Sequence, residues 1–237
     1  SSWVPMDKYH YNLEAIAKMI DSQTKIIYLA NPDNPTGTYF NKIQFDRFMK
    51  KVPDRVLIIL DEAYYEYAMG THDYPDSMLY RYDNIITLRT FSKAHGLAGY
   101  RVGYGFAHEE LISNLLKVKL PFEPSILAQE AAIAAIDDRK FIDTSISLNS
   151  KLKMDLYEFF KENNINYIES KTNFVTIIFD NEEINHNVCE ELLVKGVIVR
   201  SLDAFGLPYC MRITIGTNDE NKKFKQAFLK VLKKVVL

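Results

Sequence analysis

Two rhythms of apolar and polar positions run through the first half of the chain. Behind Asn12, a residue suited to capping a helix, "LEAIAKMI" places its apolar residues at helical intervals. The run "KIIYLA" follows with the unbroken apolar character of a strand. Beyond a proline-rich turn, Asn41 precedes a second helical pattern through Ile43, Phe45, Phe48 and Met49. Three more apolar runs come after it, "VLIIL", "IITL" and "YRVGYGF". Near-continuous apolar strands between helices predict a mostly parallel sheet covered on both faces. The Ala-rich "SILAQEAAIAAI" reads as a buried helix.

The texture changes near Asp137. A long amphipathic helix carries Ile142, Ile146, Leu152, Leu156, Phe159 and Phe160, and "NFVTIIF" follows it as a strand. The helix "INHNVCEELLVK" stops at Gly196, and "VIVR" and "YCMRITI" read as further strands. A last helix sets Phe224, Phe228, Val231 and Val235 on one side. With no repeat or low-complexity linker, the pattern predicts an α/β protein. Residues 1–136 form a three-layer domain around the parallel sheet, and residues 137–237 form a smaller C-terminal α/β domain.

Composition narrows the function classes. Hydrophobic residues make up 47% of 237, charged residues 25%, and the formal net charge is −2. That balance suits a soluble protein and argues against an electrostatic nucleic-acid binder. No apolar stretch approaches the ~20 residues of a membrane span, and "SSWVPMDKYHYN" has no signal-peptide pattern. Cys189 and Cys210 have no CxxC spacing and read as buried thiols of a cytoplasmic protein. The five histidines form no metal-ligand pair, so no metal site is expected. "GYGFAH" lacks the third glycine of a dinucleotide fingerprint.

The chemistry gathers at the strand ends. "KIIYLA" runs into "NPDNPTG", "VLIIL" into "DEAYYEY" and "IITL" into "RTFSK". Ligands of parallel α/β sheets bind outside the carboxyl ends of the strands, so three such endings in succession point to an active-site cleft.

These segments, with "RTFSKAHGLAGYRVGY" and "GVIVRSLDAFGLPYCMRITIGT", stand in the order and spacing of a known family. The chain resembles the fold-type I pyridoxal-phosphate-dependent aminotransferases over essentially its whole length, and within them the histidinol-phosphate branch. The resemblance implies pyridoxal 5'-phosphate as cofactor, a small-molecule amino donor and a 2-oxo acid as substrates, and a homodimer. It also admits a decarboxylase of a phosphorylated amino acid, because that reaction uses the same groups. Members of the family carry a segment before the position of Trp3, with a glycine-containing turn that binds the cofactor phosphate. The expectation is therefore a longer native enzyme, this chain alone being an inactive or weakly binding fragment whose faces such as "VLIIL" and "SILAQEAAIAAI" are less covered and which associates through exposed apolar surface.

Residue by residue, the resemblance makes Lys93 the catalytic lysine that holds the cofactor aldehyde and shuttles a proton. Its place after a buried strand predicts a partly desolvated amine. Asp61 would pair with the ring nitrogen, although a strand-end aspartate also serves as a simple cap. Asn34 and Tyr64 would serve the ring's phenolate oxygen, and Tyr64 is otherwise one of 15 tyrosines. Thr90, Ser92 and Arg101 would grip the phosphate, with Gly96, Gly99 and Gly103 letting the backbone turn and approach. Strand alternation sets Arg212 opposite Tyr209, Met211, Ile213 and Ile215, and a core-strand arginine needs an anion, which the resemblance implies is the substrate α-carboxylate. Arg200 matches the contact to the substrate phosphate, or is an exposed strand-end arginine. Asn173 in "KTNF" takes a supporting role.

Overall fold

Asn12 accepts a hydrogen bond from the Ala15 N–H at 2.9 Å and opens α1 (Leu13–Lys18). That is the satisfaction of an orphan helix donor that its position predicts. The computed structural model describes residues 1–235 and divides into two units. Ser1–Asp33 and Tyr39–Thr144 form the first, and Asn34–Thr38 joins the chain from Ser145 onward in the second. The division thus falls within a helix, later than the change of texture at 136/137.

In the first unit, α1 leads to β1 (Ile26–Ala30), α2 (Lys42–Met49), β2 (Leu57–Asp61), the single turn α3 (Tyr65–Ala68) and β3 (Ile85–Thr90). β4 (Gly103–Ala107), α4 (Glu109–Val118) and α5 (Ile126–Ile136) complete it. Asn41 and Gln44 form a reciprocal capping box at the start of α2. The sheet runs in the order β1-β2-β3-β4, with the first three strands parallel and β4 antiparallel to β3.

Alternation gives this sheet two unlike faces. Leu29, Ile58, Leu60 and Ile85 point to the face where α1 and α2 deliver Leu13, Phe45, Phe48 and Met49, and these side chains form one core. The opposite face shows the loss of cover expected for "VLIIL" rather than the two-sided cover that the apolar runs suggest by themselves: Ile26 is 56% exposed, Tyr28 is 54% exposed, and Leu57 and Ile59 are half-buried. α5 likewise shows the expected loss of cover rather than the buried helix that its run suggests by itself. Only Ala128 and Ala132 are buried against Phe91 and Val102, whereas Ile126 and Leu127 are about three-quarters exposed at 76% and 75%.

In the second unit, α6 (Arg139–Glu162) from Ser145 on, β5 (Asn166–Ile168), β6 (Phe174–Ile178), α7 (Glu182–Val194), β7 (Arg200–Leu202), β8 (Leu207–Thr214) and α8 (Asn218–Val235) build an α/β layer pair. The sheet order is β5-β6-β8-β7, all antiparallel. Its core joins Leu156 and Phe160 to Val175, Ile177, Met211 and Ile213, and to Phe224, Phe228 and Val231 of α8. Gly196 stops α7 at φ +70°, and β7 begins at Arg200, so Val197–Val199 form the approach rather than the strand. Among the described residues no helix is long and apolar enough to cross a membrane, and no His, Cys, Asp or Glu cluster could hold a metal.

One cation lies inside this second unit. Lys153 of α6 is buried and donates to the Thr172 carbonyl at 3.1 Å, which also accepts from Asn149 at 3.3 Å. Burial, reinforced by Lys171, pushes its amine down to about 8 from the ordinary 10.5. The folded state therefore holds fewer protons than the unfolded chain between those values, so this group's contribution to stability rises with pH across that window. Lys153→Met should stabilise the protein near neutral pH by on the order of 3 kcal/mol. The advantage should shrink steadily toward pH ~10. Urea midpoints of the two proteins at several pH values check this; a constant offset contradicts it.

Candidate active site

The open face of the first sheet carries the carboxylate expected at the end of β2. Asp61 Oδ1 accepts from the Ala63 N–H at 3.0 Å and Oδ2 from the Tyr28 hydroxyl, which reaches across from β1. Burial, then the Asp61 carboxylate, push the Tyr28 phenol well above its usual range. Tyr64, three residues on, is buried at the head of α3. The Lys93 ammonium sits 5.2 Å from the centroid of the Tyr64 ring, so the lysine, the tyrosine and the strand-end aspartate all belong to this unit. Lys93 itself is exposed, and the partly desolvated amine expected of it is not supplied by burial.

The loop that bears Lys93 folds back on itself. Phe91 N–H donates to the Val102 carbonyl at 3.2 Å, Leu97 N–H to Phe91 at 2.9 Å, and Gly96 N–H to the Lys93 carbonyl at 3.0 Å. Thr90 Oγ1 accepts from the Ser92 N–H at 3.1 Å, and Arg101 Nη1 donates to the Ala98 carbonyl at 2.8 Å. Of the three glycines, Gly96 has φ +73°, and a Cβ on Gly103 would come within 2.7 Å of the Arg89 carbonyl. Gly99 meets neither demand, having open space around it and no positive φ. Arg101 instead takes the left-handed conformation, φ 53°.

The residues beside the expected ones were not legible as a pair. Glu62 has no exposed surface, and its Oε2 accepts from Arg89 Nε at 2.9 Å, Arg89 Nη2 at 2.8 Å and Ser77 Oγ at 2.7 Å. The guanidinium of Arg89 stacks 3.4 Å over the Tyr65 ring. Burial pushes the Glu62 carboxyl up to about 7 against the pull of Arg89 and Ser77. Alternation puts this pair on the helix-covered face, so each member is the immediate chain neighbour of an open-face residue, Asp61 or Thr90.

The second unit holds the remaining candidates. Arg212 Nη1 donates to Asn34 Oδ1, and its guanidinium lies 4.9 Å from the centroid of the Phe174 ring. Arg200 is paired in register with Arg212 across β7 and β8, so the two cations rise from neighbouring positions. Gly37 holds the Asn34–Thr38 segment at φ +79°, where any Cβ would collide with Ser170. The Asn173 carbonyl accepts from the Ile215 N–H at 2.9 Å, a backbone role.

A mixed, mostly parallel sheet whose strand ends carry a carboxylate, a lysine and paired hydroxyls agrees with what the comparisons return. The family model for aminotransferase class I and II matches residues 2–228, and the chain belongs to that family. Among its members the chain is 44% identical over 232 residues to the histidinol-phosphate aminotransferase of Geobacillus sp. (strain WCH70), covering 97% of this chain and 63% of that protein. It is 43% identical over 224 residues to the enzyme of the same name from Bacillus subtilis (strain 168), covering 94% and 61%. The crystal structure of histidinol-phosphate aminotransferase from Sinorhizobium meliloti in complex with pyridoxal-5'-phosphate superposes with a TM-score of 0.90 at 27% identity, over 98% of this chain and 64% of that one. The chain therefore spans less than two thirds of the length of these relatives.

The ion pair yields a stability prediction. Arg89→Met leaves Glu62 buried without its counter-charge and should cost about 3–5 kcal/mol. Adding Glu62→Gln removes the stranded charge and should recover part of that loss. Denaturant unfolding of both variants measures it, and equal stability of the single and double variants would show that the charge is not what matters.

Proposed function

We propose that this chain is the greater part of a pyridoxal-phosphate-dependent aminotransferase, a cytoplasmic homodimer. It would move the amino group of histidinol phosphate to 2-oxoglutarate, giving imidazole-acetol phosphate and glutamate. The observation that carries the reading is family membership joined to one unit's Lys93, Tyr64 and Asp61 and the other's opposed arginines. The names of the relatives at 43% and 44% identity support the substrate. The exposed apolar residues of α4 and α5, Leu116, Ile126 and Leu127 among them, support association with a second copy.

The donor set fits the cofactor. Asp61 presents a carboxylate held by two donors, Thr90 and Ser92 bring hydroxyls, Arg101 brings a cation, and Gly103 lets two backbones close on one another. When bound, pyridoxal phosphate supplies an aldehyde that accepts the amino group and a ring that draws electrons from the substrate's α-carbon. Lys93 Nζ would take the proton from that carbon and return it. The Asp61 carboxylate would hold the proton on the ring nitrogen, and the Tyr64 hydroxyl and the Asn34 amide would serve the phenolate oxygen. Thr90, Ser92 and Arg101 would bind the phosphate of the cofactor.

Specificity is assigned to the arginines. Like charges directly opposite on neighbouring strands repel, so Arg200 and Arg212 are suited to anions arriving between them. Arg212 takes the α-carboxylate of glutamate or 2-oxoglutarate, and Arg200 the phosphate of the donor.

Two substitutions test this. Lys93→Ala should abolish the visible absorption band of the bound cofactor and its borohydride-fixed label, while Lys25→Ala keeps both. Arg200→Ala should raise KM for histidinol phosphate by roughly 10- to 100-fold, the loss of a charge-assisted contact. An unphosphorylated aromatic donor should be little affected. A label that persists in Lys93→Ala, or equal losses on both donors in Arg200→Ala, contradicts the respective role. Release of carbon dioxide from a phosphorylated amino acid would instead favour the decarboxylase.

A further inference from the structure

A second buried pair, Glu66 with His95, lies on the two segments that carry Tyr64 and Lys93. Glu66 is in α3, two residues after Tyr64, and His95 follows Lys93 by two residues. Both side chains are more than nine-tenths buried, and His95 Nε2 stands 3.5 Å from Glu66 Oε1. His95 also packs its ring on Phe91, centroids 4.7 Å apart, at the point where the loop leaves β3. The other polar atoms of the pair, Glu66 Oε2 and His95 Nδ1, have no hydrogen-bond partner among the described residues.

A buried carboxylate facing one imidazole is an expensive choice for a contact whose only task is packing, since an apolar pair of similar size fills the same space without desolvation. Its position explains what it does. The Lys93 side chain is exposed and reaches Tyr64 only at ring distance. An exposed side chain at that distance holds the height of the loop above α3 only weakly, whereas the Glu66–His95 contact bridges those two segments directly.

We propose that Glu66 and His95 are positioning residues: their buried contact clamps the Lys93 loop to the α3 turn and sets the amine over the Tyr64 ring. The inference rests on the reading of Lys93 as the cofactor-binding lysine. Glu66 and His95 do not touch the reacting atoms; they act through Lys93 and Tyr64.

The test follows the protein by three readouts: thermal stability, amide hydrogen exchange of residues 93–97, and the rate at which Lys93 captures pyridoxal 5'-phosphate, measured by absorbance. His95→Leu should slow capture by roughly ten- to a hundredfold, the usual penalty for a reacting group set slightly out of place. It should also speed amide exchange in the loop. His95→Gln keeps a donor toward Glu66 and should restore most of both. The double variant Glu66→Leu/His95→Leu should be no slower than His95→Leu alone, because one contact is being removed. If His95→Leu does not fold, Glu66→Gln, which keeps the size of the side chain, carries the same comparison. A lowered melting temperature with wild-type capture and wild-type loop exchange would reduce the pair to packing and overturn the proposal. If the wild type never captures the cofactor at Lys93, the reading of that lysine fails instead. Loop exchange and the labelling rate of Lys93 by trinitrobenzenesulfonate then decide the clamp.

Discussion

A carboxylate with no exposed surface has to be neutralised where it stands, and Glu62 meets that requirement through Arg89. The two residues sit at the carboxyl ends of adjacent parallel strands, so their charge pairing ties those ends together at one relative height. Tyr65 roofs the guanidinium and Ser77 adds a third donor to the same carboxylate oxygen, Oε2, which leaves little freedom for either strand end to slide. Because side chains alternate, locking Glu62 and Arg89 on the covered face places Asp61 and Thr90 on the open one. The ionic contact on one side of the sheet thus determines where the polar groups on the other side stand.

The same division of faces explains why an apolar sheet can end in chemistry. The covered face is continuous hydrocarbon from α1 and α2 through Leu29, Ile58 and Leu60, and it supplies the driving force for the unit. The open face keeps the half-exposed Tyr28 next to a half-buried Asp61. In the second unit the division recurs on β8. Met211 and Ile213 enter the core, while Arg212 turns the other way toward Asn34.

Much of this was readable from the residues. The helix starts at Asn12 and Asn41 follow from side chains that satisfy orphan donors, and the polar strand endings follow from the apolar runs that precede them. The roles at Asp61, Lys93 and the arginines came from likeness to a family, because residue type and spacing alone left strand-end caps and surface cations open. What escaped was long-range or environmental. Glu62 and Arg89 are 27 positions apart, and neither announces its partner. The run of α5 taken by itself reads as a buried helix, and only the likeness to a longer family pointed to the loss of cover seen at Ile126 and Leu127. "VIVR" has strand composition, but the turn at Gly196 consumes its first residues before pairing begins at Arg200. Gly99 looked like its neighbours because a glycine's necessity lies in its surroundings, and its surroundings are empty.

The short segment Asn34–Thr38 belongs to a unit whose other residues begin at Ser145. Its Pro35 carbonyl accepts from Thr176 at 2.6 Å, across 141 positions of chain. A ribosome adding about 5–20 residues per second would need roughly 7–30 s to make the partner after the segment itself has appeared. Over that interval the first unit can acquire its sheet while the threaded segment waits with its hydrogen bonds to water. The second unit cannot be excised as one continuous stretch, and its completion is tied to the order of synthesis: the earliest piece of it is made long before the rest.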